Sequence, residues 1–505
     1  MTGSLGKSIV PLLSAAPRLF SLLAALLFTL LPGRAAGQTW EYSPYEIVVW
    51  IALEPSAQLS PRFEQEISSA LISGARGVAG YAWHLTPDSA PQSLNQDLVL
   101  GRDDLSLALL QSAHPEVLQG DKLVVVTVRE ADLGFDLSLR ELDVATRLWS
   151  DAVHVNVPQR DAVPSVAADA FIHVIRPLAK IEKVTGKTIV ARLRAGGLVT
   201  TAQSPAQLEP GSVLQPVVRR NKRNGEPLEN GIYAPPWSYL AVDARADTVI
   251  TCSLQSGYGS VIPSKGGPRT IRLALGVAPR FAGTRLELRA RETTPARTGR
   301  PLAGYEVYGK YPGEESTELM GLTDWQGGIE LPRTERPLRL FYIKNGGQLL
   351  ARLPLLVGHR ETAVATVLDD DPRLQAEVYI KSMQSRVLDT VARREILAVR
   401  IRSKLKKGDF AAAKSLVQQF RELPNRVPLM RELEDAHRRF GNSTGVTARR
   451  IDKLFQDGRK LLQAFLDPET ADVLAREVAE SERKGPPTDS KPATSPTPPV
   501  ANKST

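Results

Sequence analysis

Hydrophobic and polar positions change period several times along the chain. From Tyr45 to Leu53 the run YEIVVWIAL is apolar at nearly every position, the pattern of a strand covered on both faces. Ser60-Pro61 then opens a stretch in which Phe63, Ile67 and Leu71 recur at helical spacing. DKLVVVTVRE, from Asp121 to Glu130, predicts another buried strand. Beyond it Phe135, Leu137 and Leu139 alternate with polar residues, Ala145-Thr146 interrupts, and Trp149 and Val153 resume, which predicts a meander. A helix from Pro164 to about Lys183, kinked at Pro177, closes the unit.

Farther on, KTIVARLRAGGLVTT, SVLQPVVRR, SYLAVDA, DTVITCSL, TIRLAL and TRLELRAR are short alternating segments separated by turn residues, and they predict a barrel or sandwich. Past Asp369 helix formers take over. Pro372, Pro428 and Pro468 stand at first helical positions, Asp371 and Asp467 are placed to cap, and Gly408 and Gly441 to terminate. From Lys484 the sequence KGPPTDSKPATSPTPPVANKST has almost no apolar side chains to bury and is expected to be disordered. The fold class is therefore multi-domain α+β. The expected order is an N-terminal α/β domain at 38–183, two small all-β domains (barrel or sandwich at 184–291, sandwich at 292–368), helical hairpins at 369–483 and a disordered tail at 484–505.

Two motifs carry resemblances. The strand, the turn Asp143-Val144-Ala145-Thr146 and the returning strand LWS resemble the N-terminal α/β domains of TolB-like and curli-secretion (CsgG-like) envelope proteins, where a strand runs into Asp-x-x-Thr-Gly. Arg147 stands where that pattern has glycine. Gly299, Pro301, Leu302, Gly304 and Val307, followed by Thr323, Asp324, Gly327 and Leu331, resemble the carboxypeptidase regulatory-like, prealbumin-type β-sandwich. That resemblance implies a spacer or adhesive module without catalytic residues. Lys406 to Pro424 resembles one helix of a tetratricopeptide-type repeat, but a lone unit predicts hairpins and no solenoid.

The N-terminus adds a destination. Lys7 and Arg18, the apolar run Leu19 to Leu31 and the small residues Ala35-Ala36-Gly37 form a signal-peptide pattern over 1–37, with cleavage expected before Gln38 and an exported location in the periplasm, envelope or outside the cell. The run is too short to span a bilayer. Cys252 is the single cysteine, so no intramolecular disulfide forms. Of the net charge of +9, three positive charges (Lys7, Arg18, Arg34) lie in the leader, leaving a mildly basic chain with no nucleic-acid signature.

Candidate chemistry is sparse. The six histidines are scattered, no metal-ligand spacing, phosphate loop or nucleophile elbow occurs, and no catalytic residue, cofactor or metal is assigned. Cys252 in VITCSL reads as a small core residue, Asp369-Asp370-Asp371 as a capping cluster, and Arg219, Arg220, Lys222 and Arg223 as a charged hairpin tip. One helix is more informative. Ile380, Val387 and Ile401 form an apolar seam, and Arg386, Arg393, Arg400 and Lys407 a basic stripe along its flank. That stripe either binds an anionic partner, a protein or an envelope polymer, or pairs internally with Glu432, Glu434, Asp435, Asp472, Glu477 and Glu480. The expected role is a non-catalytic, exported bacterial scaffold or binding protein. The alternatives are a hydrolase of envelope polymers with carboxylates that meet only in space, and a polysaccharide binder using Trp237, Tyr239 and Tyr258.

Overall fold

A computed structural model describes residues 40–101, 105–199, 204–257, 259, 261–291, 299–441 and 445–485. The expected leader, Tyr258 and nearly all of the expected tail lie outside the described residues. The described residues divide into two compact units. The first takes those up to Glu287 together with 305–343 and 351–365, and the second takes the remainder.

In the first unit β1 (Tyr45–Leu53) lies between parallel neighbours β2 (Trp83–Ser89) and β3 (Lys122–Ala131). Its apolar run follows from this central place. The meander continues antiparallel through β4 (Gly134–Asp143), which pairs with both β5 (Leu148–Trp149) and β6 (Val153–Val157). Helix α1 (Pro61–Ala79) buries Phe63, Ile67, Leu71, Ala75 and Ala79. Two shorter helices, α2 (Gln92–Val99) and α3 (Leu107–Ala113), supply Leu94 and Leu110 to a separate cluster with Trp50, Val125 and Leu142. Helix α4 (Val163–Val174) packs so closely on α1 that a Cβ at Gly74 would stand 3.0 Å from the Ala168 Cβ.

The helix expected to reach Lys183 instead ends at Val174. Pro177 has no N–H to donate and biases Arg176 away from the helical region, so Leu178–Thr185 becomes strand β7. With β8 (Thr188–Leu193), β9 (Val213–Asn221), β10 (Pro227–Tyr233), β11 (Ser238–Ala246), β12 (Val249–Ser256) and β13 (Thr270–Val277), it forms a sheet of order β10-β9-β11-β12-β8-β7-β13. Pairing of β13 with β9 closes a six-strand barrel, and β10 extends β9. Cys252 is fully buried in the barrel core, where burial pushes its thiol up to about 12.

The segment TRLELRAR, expected in the barrel, belongs elsewhere. Strand β14 (Gly283–Ala290) is the middle strand of a three-stranded sheet, β17-β14-β20, with β17 (Gly328–Pro332) and β20 (Thr362–Val367). A four-stranded sheet of order β16-β15-β18-β19 comprises β15 (Glu306–Lys310), β16 (Glu318–Leu322), β18 (Leu338–Asn345) and β19 (Gln348–Leu356). The Thr-Asp-x-x-Gly turn has a local cause. Asp324 Oδ1 accepts from the Gln326 and Gly328 N–H groups at 2.8 Å each, while Thr323 Oγ1 accepts from Tyr305 N at 2.9 Å.

Where β3 and β4 meet, four charged side chains are withdrawn from water. Lys122 Nζ donates to Glu141, to Asp143 Oδ2 at 3.0 Å and to the Arg176 carbonyl at 2.7 Å, and both Lys122 and Glu141 are fully buried. Arg176 Nε returns to Glu141 Oε2 at 2.7 Å, and Asp143 Oδ1 accepts from Thr146 N and Oγ1 at 2.8 and 2.7 Å. Burial alone would drive Lys122 toward neutrality, but Glu141 and Asp143 outweigh it and hold its pKa above the ordinary value. Burial likewise opposes ionisation of Asp143, yet Lys122 and Thr146 keep its carboxyl below the ordinary range.

The second unit is largely helical: α5 (Asp371–Lys406), α6 (Phe410–Glu422), α7 (Arg426–Phe440), α8 (Gly445–Phe465) and α9 (Thr470–Lys484). The N-terminal half of α5 contributes Ile380, Met383 and Val387 to a core with α7 and α8, and its C-terminal half contributes Ile401 to a core with α6 and α9. Among the described residues no helix is long and apolar enough to cross a membrane.

Arg147, where the Asp-x-x-Thr-Gly pattern has glycine, adopts a left-handed φ of 55°. Its Nε and Nη1 are buried without hydrogen-bond partners. Strain of this kind costs on the order of 1 kcal/mol. Arg147→Gly should therefore leave stability equal or raise it by up to about 1 kcal/mol in denaturant unfolding. A loss larger than that would show the guanidinium to be a needed contact.

Candidate functional site

In the first unit a cleft of about 340 Å³ is lined by Gln215 of β9, Trp237 just before β11 and Tyr239 within it, His359 and Arg360 between β19 and β20, and Thr362 at the start of β20. A recess of about 40 Å³ shares Gln215, His359 and Arg360 with it and adds Asp151, Arg176 and Arg280. Two of the three aromatics expected from sequence are thus brought together.

Local chemistry builds each wall. Pro235-Pro236 leads into Trp237, whose φ of 52° is left-handed for a residue with a bulky side chain, and whose carbonyl accepts from Gly257 N at 2.9 Å. Outliers of this kind cluster at binding sites because surrounding contacts must hold them. Opposite, Gly358 has φ 81°, and a Cβ there would meet the Phe281 carbonyl at 2.5 Å. Thr284 Oγ1 accepts from Gly358 N at 2.8 Å and donates to the Arg360 carbonyl at 2.7 Å. This turn fixes His359 and Arg360 against the cleft. In the recess Arg280 Nη1 donates to the Asp151 carbonyl at 2.7 Å, and Arg176 is held by Glu141.

The site is electropositive. Burial lowers the Arg280 pKa and Arg176 adds to the effect, the signature of two cations facing one another. The Arg360 guanidinium is exposed, with no carboxylate within 4 Å among the described residues. Burial pulls His359 down to about 4; Asp151 opposes this while Arg360 and Arg176 assist, so the imidazole is neutral at neutral pH. Burial raises the Tyr239 phenol, which has the Leu356 backbone as hydrogen-bond partner. The arrangement offers aromatic faces, an exposed guanidinium and neutral polar groups, and among the described residues its only lining carboxylate is Asp151 in the recess.

A larger cleft of about 610 Å³ lies at the carboxyl ends of β1 and β2 and is lined by two carboxylates, Glu54 and Glu64. Both already accept hydrogen bonds, Glu54 from the Glu130 N–H and Glu64 from the Ser89 hydroxyl. Among the described residues no group of three or more His, Cys, Asp or Glu is placed to hold a metal ion. The basic residues expected to bind a partner lie on α5 or, for Lys407, just past its end. Arg386 grips Glu432 with both Nη atoms at 2.7 and 3.1 Å, whereas Arg393, Arg400 and Lys407 are exposed and make no ion pair among the described residues. Sequence reasoning missed His359 and Arg360, which follow Gly358 in an otherwise featureless turn. The Gly-His-Arg-Glu-Thr string between two alternating runs was the available signal.

No protein-family model matches this chain, and no curated protein matches it either. Among solved structures it is similar to TolB from Acinetobacter baumannii, at 12% identity over 64% of this chain and 98% of that one with a TM-score of 0.17. It is also similar to a lipoprotein from Neisseria meningitidis (14% identity, 26% and 95% covered, TM-score 0.15) and to the major pilin subunit of Bacillus cereus (10%, 50% and 71%, TM-score 0.11). Likeness at this level assigns no role.

The His359 shift has a consequence for stability. Between pH 6.5 and 4 the unfolded imidazole takes up a proton that the folded one refuses, so stability falls as pH drops through that window and is unaffected above it. A fall from 6.5 to about 4 amounts to about 3 kcal/mol lost by pH 4, at about 1.4 kcal/mol per unit. Denaturant unfolding at pH 7 and pH 4.5 should show a smaller acid-side loss in His359→Gln than in the wild type. Equal losses would mean that His359 titrates normally.

Proposed function

We propose that this protein is an exported, non-catalytic, modular binding protein of the bacterial cell envelope, and that its cleft takes a segment of an acidic glycan. The observation that carries this reading is the meeting in one concave site of Trp237, Tyr239 and the exposed Arg360 guanidinium, which has no carboxylate within 4 Å among the described residues. Aromatic rings present flat apolar surface that suits the C–H face of a sugar ring, and a guanidinium pairs bidentately with a carboxylate. Gln215 and Thr362 supply neutral polar groups for sugar hydroxyls. The leader pattern over 1–37 supports export. A binding role agrees with a thiol pushed up to about 12 and with a cleft that lacks a carboxylate pair. The sandwich motif supports a spacer role for 292–368.

A hydrolase is the second reading, favoured by one observation, the pair Glu54 and Glu64 in the larger cleft.

The test is titration of the protein with oligogalacturonates and with neutral cello-oligosaccharides, followed by tryptophan fluorescence and calorimetry. Acidic oligomers should bind, more weakly at high salt. Trp237→Ala should abolish binding, and Arg360→Gln should weaken it at least about tenfold, the loss of one charge-assisted pair. Equal binding of neutral oligomers, or variants that bind as the wild type does, would overturn the assignment. Release of reducing ends that stops in Glu64→Gln would favour the hydrolase.

A further inference from the structure

Helix α5 leaves one face without a partner in the described structure. Val378, Leu388, Ile396 and Val399 are 62, 65, 53 and 67% exposed, although the opposite face of the same helix buries Ile380, Met383, Val387 and Ile401. At 100° per residue, Leu388, Ala392, Ile396 and Val399 fall within an arc of about 80°, and Val378 lies at its margin. The spacing of four, four and three is that of a helix-packing seam.

The basic stripe borders this seam. Arg393 and Arg400 on α5, with Lys407 just past its end, lie about 20–60° beyond the Ile396 edge and are exposed, with no carboxylate partner among the described residues. Several other cations of the helix are already used. Arg386 is paired with Glu432 and Arg402 with Glu477. Internal pairing therefore accounts for Arg386 and leaves the other three residues of the stripe unneutralised.

We infer that this face of α5 is a docking seam for an acidic amphipathic helix of a partner protein. Charge complementarity and width select that occupant. An arc of about 80° matches a single helix, whereas helices that lie in a membrane surface present broader apolar faces, usually with aromatic residues, and this seam has none. A second copy packed antiparallel would set the basic flank against itself. Packed in parallel it would offer Glu395 and Glu377, and Glu377 is already paired with Arg373 and Lys381. The chain beyond Gly485 carries one Asp and two Lys, so it has no acidic run to lay on the seam.

The experiment uses the full mature chain and two synthetic helical peptides with the same Leu/Ile seam, one flanked by Glu and the other by Lys. The Glu-flanked peptide should bind and weaken with salt, and the Lys-flanked peptide should not. The triple reversal Arg393→Glu/Arg400→Glu/Lys407→Glu should weaken the first at least about tenfold and gain the second. Leu388→Asn/Val399→Asn should lose the Glu-flanked peptide and gain no affinity for the Lys-flanked one, with an unchanged circular dichroism melt, since every altered side chain is exposed. Equal affinity for the two peptides, or binding of neither, would overturn the inference. So would preferential binding to anionic phosphatidylglycerol vesicles, or concentration-dependent dimerisation abolished by Leu388→Asn.

Discussion

The junction between the α/β sheet and the barrel turns on Lys122, an ammonium group fully buried between Glu141 and Asp143 and bonded to the Arg176 carbonyl. A charge so placed is tolerable only when its partners are close and their remaining lone pairs are filled. Here they are: Thr146 and Arg176 complete the two carboxylates, and the third proton of Lys122 goes to the Arg176 carbonyl. That last bond ties the α/β sheet to the segment where helix α4 gives way to strand β7. Tyr45 joins the same junction, its hydroxyl accepting from Leu178 N at 2.9 Å. A continuous apolar cluster then runs from β1, α1 and α4 to Leu178, Val217, Leu273 and Leu275 of the barrel. The fixed position of Arg176 also sets one wall of the recess beside the cleft.

How much of this was legible follows from where each signal is stored. Strand β1, the meander and the face of α1 were readable because burial imposes a period on sequence, and the buried residues of α1 continue the predicted series to Ala75 and Ala79. The end of α4 was misread because apolar residues continue through Leu178 and Ile181. Only the steric effect of Pro177 separates the helix from the strand. The place of β14 was illegible, since alternation identifies a strand but says nothing of which sheet it joins. Lys122 gave no warning either. Its partners are 19 and 21 residues away, and a lysine beside an apolar run reads as a solvated strand end.

The candidate site shows the same division. Trp237 and Tyr239 stood out as aromatics, but nothing local said that a turn beginning at Gly358 would carry His359 and Arg360 to face them. The cleft combines a left-handed tryptophan, whose strain costs folding free energy that a purely structural loop would avoid, with an imidazole kept neutral by burial and an exposed guanidinium that has no carboxylate within 4 Å among the described residues. Strain held by well-packed surroundings is how a binding site is kept ready before its ligand arrives. The helical unit follows another economy. Its interior is two ordinary apolar clusters, and its unusual feature, exposed apolar residues beside cations that make no ion pair among the described residues, is displayed on the surface of α5.

A double-mutant cycle on Lys122 and Glu141, read by denaturant unfolding at neutral pH, tests most directly whether this buried network governs the unit. Lys122→Met leaves Asp143 buried without its ammonium partner and Glu141 with Arg176 alone, Glu141→Leu leaves Lys122 with Asp143 alone and Arg176 without its carboxylate, and each should cost about 3–5 kcal/mol. The double variant should cost clearly less than the two combined, because the Lys122–Glu141 contact, broken in each single variant, is counted only once in the double. Single losses below about 1 kcal/mol, or strictly additive ones, would contradict the central role given to Lys122.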